Sequence, residues 1–148
     1  MKTLCDSGET EKRLAKVPSD LDLPELSSDD EDLWENLREL FVACWCKGVS
    51  HSKITKILHK KRPQLIPIVD GEFVAKKYLG GNQLGASEVP EYLVAATKCI
   101  QEDVARETNR TTLVAIREKL RQEKRIDLTL LRIFDILLYQ HYSSQSTN

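Results

Sequence analysis

The sequence has no glycine-rich phosphate loop, no apolar run near the about 18–20 residues a membrane span requires, and no excess of either charge. These absences argue against a nucleotide cofactor, a membrane partner and an overall polyanion-binding composition. Met1–Lys16 lacks the apolar centre of a secretory signal, so an intracellular chain, in cytoplasm or nucleus, is expected. Cysteine is scarce as well. Cys5, Cys44, Cys46 and Cys99 then read as reduced thiols and not as a disulfide framework. Cys44-Trp45-Cys46, with His51 and His59 nearby, has only one residue between its thiols and no second pair, unlike a zinc site. The four cysteines also lack iron–sulfur spacing, so neither a metal nor a cofactor is expected. None of the three histidines stands in a nucleophile motif.

What is present is a chain of 148 residues, 41% apolar, with 23 acids against 22 bases. That length buries one core, not two. The net charge of −1 conceals a strong asymmetry. Residues 1–36 carry −7, residues 37–77 carry +6, and residues 78–148 are balanced. An acidic tail therefore precedes a basic stretch.

The pattern predicts an all-α fold, a compact domain of five to six helices over 28–142. An acidic, mobile N-terminal segment over 1–27 precedes it, and a frayed tail over 143–148 follows. Within the mobile segment, Leu21, Leu23 and Leu26 have the character of an extended strap. The first helix opens with a capping box at Ser28-Asp29-Asp30-Glu31. Leu33, Leu37, Leu40, Phe41 and Cys44 recur along it at helical spacing, and Gly48 stops it. Ser50 caps a second helix to Lys61, with Ile54, Ile57 and Leu58 as its apolar stripe and Lys53, Lys56 and Lys60 beside it. Pro63 ends that helix. An apolar connection, 62–69, leads to a short helix from Asp70 as N-cap to Tyr78, with Phe73 and Val74 inward. A fourth helix opens at Ser87 and Pro90 and runs to Glu107, and a fifth covers Thr111 to Gln122. Asp127 caps the last, which runs to His141 and is apolar nearly all round, as a central buried helix would be. On it Arg132 and Asp135 are spaced to pair.

Two groups of residues suggest chemistry. Lys53, Lys56, Lys60, Lys61 and Arg62 place five bases in ten residues, dense enough to contact several phosphates or an acidic protein surface. No aromatic residue interleaves with them, so base stacking is not supported. Asp70 is the one candidate acid or base, its alternative role being the N-cap. Its neighbour Glu72, two residues on, points to another helix face.

The string Ser52-Lys53-Ile54-Thr55-Lys56-Ile57-Leu58-His59-Lys60-Lys61-Arg62-Pro63-Gln64-Leu65-Ile66-Pro67-Ile68-Val69-Asp70 resembles the central signature of the uncharacterised family known as domain of unknown function 6308. Leu33-Trp34, Leu37 to Leu40 and Arg132 to Leu137 fit the same pattern, so the resemblance spans about residues 33–138. It implies no activity. More distantly, Cys46-Lys47-Gly48-Val49-Ser50-His51-Ser52-Lys53-Ile54 is similar to the hairpin of helix-hairpin-helix DNA glycosylases, with Asp70 where their catalytic aspartate follows. That resemblance implies Gly48 and Ser50 beside a backbone phosphate and Asp70, with Lys53, at the chemistry. Ser50 replaces the second hairpin glycine, Ser52 stands where bifunctional members carry lysine, and Gly71-Glu72-Phe73 replaces the residues after the aspartate. The expectation is a helical binding module contacting nucleic acid or an acidic partner. The alternative is a small glycosylase-like hydrolase acting on DNA. The sequence leaves the oligomeric state open.

Overall fold

The computed structural model describes residues 7–46, 48–70, 73–78 and 89–145. They form α1 (Ser7–Ala15), α2 (Glu31–Cys44), α3 (His51–Lys61), α4 (Phe73–Tyr78), α5 (Val89–Ala105), α6 (Glu107–Lys124) and α7 (Leu130–Gln145), with a 3-10 turn at Leu23–Glu25. No strand occurs among the described residues, so the all-α expectation holds. No helix among them is long and apolar enough to cross a membrane.

α5 is the centre. Its Tyr92, Leu93, Ala96, Thr97, Ile100, Gln101 and Val104 are all buried, a stripe too wide for a helix with only one covered side. α2, α4, α6, α7 and the 3-10 turn all pack on it. This corrects the reading of α7 as the central buried helix. Leu130, Leu131 and Ile133 are buried, but Leu137 is 41% and Tyr139 59% exposed. The last helix lies at the edge, and its apolar composition leaves an uncovered flank.

The expectation of a mobile segment over 1–27 is corrected for residues 7–27. α1 packs along α2, and Val17, Leu23 and Leu26 are buried in the main core. Each such side chain contributes about 1.5–3 kcal/mol relative to exposure. Hydrogen bonds fix the strap. Leu23 N donates to the Gln64 carbonyl at 2.9 Å, and the buried Gln101 side chain donates to the Leu26 carbonyl at 2.7 Å.

Helix starts shift where a different side chain caps. α2 begins at Glu31, not Ser28, because Asp30 accepts from Leu33 N at 3.2 Å. The Trp34 indole donates to the Ser27 carbonyl at 3.0 Å, which holds the preceding turn out of the helix. α7 is capped by Thr129, whose Oγ1 accepts from Arg132 N at 3.1 Å, and Asp127 instead pairs with Arg121. α6 starts earlier than expected, directly after a break at Arg106. Val74 is buried as anticipated. The Phe73 side chain, Ser87 and residues 71–72 lie outside the described positions.

Candidate functional site

α2 ends at Cys44, and Trp45 already has extended backbone angles. Gly48, at φ +90, completes the turn in a conformation that side-chain-bearing residues rarely adopt, although a Cβ there would meet nothing within 4 Å. Backbone conformation, not close approach, therefore demands this glycine. Ser50 then caps α3, its hydroxyl oxygen accepting from Lys53 N at 3.4 Å.

α3 divides into two faces. Ile54, Thr55 and Leu58 are buried, and they pack toward the connection that follows the helix. Thr55 Oγ1 accepts from Val69 N at 3.1 Å, and His59 Nδ1 lies 2.7 Å from the Ile66 carbonyl. In that connection Leu65, Ile66 and Val69 are buried. On the opposite side stand Lys53, Lys56 and Lys60, with Lys61 at the helix end, all exposed. Ile57 is exposed among them, at 57%, which corrects its place in the apolar stripe. At about 100° per residue, Ile57 stands about 60° from Ile54 on the flank toward Lys53, and Thr55 takes the remaining place on the buried face. None of the four lysines is ion-paired with an acid among the described residues.

Arg62 does not share this surface. Its Nε donates to the Val17 carbonyl and its Nη2 to the Leu14 carbonyl, both at 2.9 Å. The guanidinium thus closes the C-terminal end of α1, where carbonyls lack helical partners. The basic cluster anticipated as five residues is four lysines around an isoleucine.

Asp70, at the end of the connection that follows α3, is half-buried. Its charge acts on three groups brought by three different helices, His51, Tyr92 and Asp135. The His51 and Tyr92 rings lie 5.3 Å apart and tilted by 56°. Burial holds the His51 imidazole below the ordinary histidine value, with Asp70 opposing. Burial, helped by Asp70, pushes the Tyr92 hydroxyl up. Burial also raises Asp135, against the charges of Arg132 and His59 that pull it down. Asp135 does pair with Arg132. His51 Nε2 and the Tyr92 hydroxyl are buried with no hydrogen-bond partner among the described residues. Lys53 is not part of this cluster's inner face, since it stands about 200° around the helix from His51.

His51 and Tyr92 were not legible as site residues. Only the packing of the start of α5 beside the start of α3 brings them together. Among the described residues no group of three or more His, Cys, Asp or Glu side chains is arranged to hold a metal ion. Cys46 and Cys99 are free thiols, and the buried Cys44 Sγ donates to Thr10 Oγ1 at 4.0 Å.

A family model described as "Family of unknown function (DUF6308)" matches residues 5–142. No curated protein and no solved structure matches the chain.

Proposed function

Since the chain belongs to the DUF6308 family, whose function is unknown, we propose from its surface that it is a binding module whose contact face is the outer side of α3. The observation that carries this reading is the set of four exposed lysines, none ion-paired with an acid among the described residues, around the exposed Ile57. Charge placed this way steers an acidic partner, and an apolar centre supplies the desolvated contact that holds it. An acidic protein segment fits that combination better than nucleic acid. No aromatic side chain is available on the stripe for bases, and Arg62, whose fork suits a phosphate, is bonded instead to the Leu14 and Val17 carbonyls.

The test is fluorescence anisotropy with two labelled probes, a helical peptide with leucines flanked by glutamates and a short DNA duplex. The peptide binds more tightly, and its affinity falls as salt rises from about 50 to 200 mM. Duplex binding equal to or tighter than the peptide's overturns the choice of partner.

A second reading rests on the orphaned His51 Nε2 and Tyr92 hydroxyl beside Asp70. Such a polar cluster suits acid–base chemistry, as in the alternative of a DNA-processing hydrolase using Asp70. In that case the chain releases a damaged base from a lesion-bearing duplex and the Asp70→Asn variant does not. Absence of release by the unaltered chain rejects it.

A further inference from the structure

On a different face, α4, α6 and α7 enclose an open cleft of about 350 Å³. Its floor is apolar, built from Leu113 of α6 with Phe134, Leu137 and Leu138 of α7. Leu137 is the residue whose exposure marks the uncovered flank of α7. A cleft this size lies at the small end of the about 300–1,000 Å³ typical of small-molecule sites.

The polar groups of the cleft are one-sided. Among the described residues no acid lines it; Lys77 and His141 do, and the Lys77 ammonium lies 5.5 Å from the Phe134 ring centroid and 4.6 Å from that of Tyr78. Behind Lys77 stands Asp103, which accepts from Lys77 Nζ at 2.7 Å and from the Tyr78 hydroxyl at 2.8 Å. Arg106 reaches the other Asp103 oxygen at 3.3 Å. Lys77 and Arg106 thus share one carboxylate, and of these two cations Lys77 is the one that lines the cleft.

We propose that this cleft binds a small amphiphilic anion, an alkyl or aryl chain ending in an anionic group. The chain lies on Leu113, Phe134, Leu137 and Leu138, and the head meets Lys77. A neutral apolar molecule gains the floor but not the head contact, and a cation meets like charge. The site is independent of the α3 surface, so either stands if the other fails.

The test is calorimetric titration of the full chain with decanoate, and with decanol as the uncharged counterpart. Decanoate binds saturably, about one molecule per chain, and about tenfold more tightly than decanol. Leu137→Glu, at an exposed position, weakens decanoate about tenfold or more while the thermal melt stays unchanged. Lys77→Met lowers decanoate to the level of decanol and leaves decanol binding as it was. No saturable binding below the concentration at which decanoate itself aggregates overturns the proposal, as does equal affinity for decanol. A Leu137→Glu variant that binds decanoate undiminished also overturns it. So does a chain that dimerises through this face without binding decanoate, which assigns the cleft to a second copy.

Discussion

Arg62 Nε donates to the carbonyl oxygen of Val17 at 2.9 Å, tying the end of α3 to the segment that follows α1. The same guanidinium reaches Leu14, so one side chain holds the N-terminal helix and the strap in register with the basic helix. Hydrogen bonds from a charged donor contribute about 1.5–3 kcal/mol. Arg62→Met therefore lowers stability by about 2–3 kcal/mol, read as a fall in the urea midpoint. Lys60→Met, on the exposed face, changes it by less than about 0.5 kcal/mol. Equal effects at the two positions refute the clamp.

Tyr92 is only 6% exposed, and its hydroxyl has no partner among the described residues. A buried, unsatisfied polar group costs about 1–3 kcal/mol, so deleting it gives stability back. Tyr92→Phe is expected to raise the denaturation midpoint, by about 1 kcal/mol in free energy. A loss of 1 kcal/mol or more shows instead that the hydroxyl is bonded in solution.

His51 sets part of the pH dependence. Burial holds its folded value below the unfolded one of about 6.5, with Asp70 partly opposing. On acidification the unfolded chain therefore takes up this proton first. The His51 contribution is complete above pH about 6.5 and is lost as the pH falls toward the lower folded value. Urea midpoints at about pH 7.5 and 5.5 should differ less in His51→Gln than in the unaltered chain. An equal difference in both removes His51 from the account.

Asp103 governs the acid limb. Burial pushes its carboxyl up, but hydrogen bonds from Lys77 and Tyr78 and the charges of Lys77 and Arg106 outweigh burial and hold it below the ordinary value. Its stabilisation is present above the unfolded value of about 3.9 and is lost as the pH falls through the lower folded value. Asp103→Asn keeps the shape but loses the charge. It should cost about 1.5–3 kcal/mol near neutral pH and flatten the stability profile in that acid range. A profile identical in slope contradicts the role.

Much of this architecture is legible in the residues. The capping chemistry of Ser50, the stop at Pro63 and the apolar spacing of Leu33 to Cys44 predict α2 and α3 closely, and their physics is local. What escapes is tertiary. α7 reads as central because nearly every face is apolar, yet composition does not say how many neighbours arrive, and five elements surround α5 instead. Arg62 is indistinguishable from Lys60 and Lys61 as a charge, because the carbonyls it caps belong to a segment whose composition argues against order. Ile57 reads as core because period alone places it within reach of Ile54, whereas Thr55 completes the buried face by bonding Val69 N. Tyr92 meets His51 beside Asp70 through tertiary packing alone, and no motif marks it.

The central claim is that the outer face of α3 binds an acidic protein segment, and one variant addresses it directly. In Lys53→Glu/Lys56→Glu/Lys60→Glu the buried residues Ile54, Thr55 and Leu58 and the Arg62 clamp are untouched. Affinity for the glutamate–leucine helical peptide, measured by anisotropy at about 50 mM salt, should fall by a hundredfold or more, roughly tenfold per reversed charge at close range, with the fold intact by circular dichroism. Undiminished affinity in a folded triple variant contradicts the claim and moves the binding face elsewhere on the molecule.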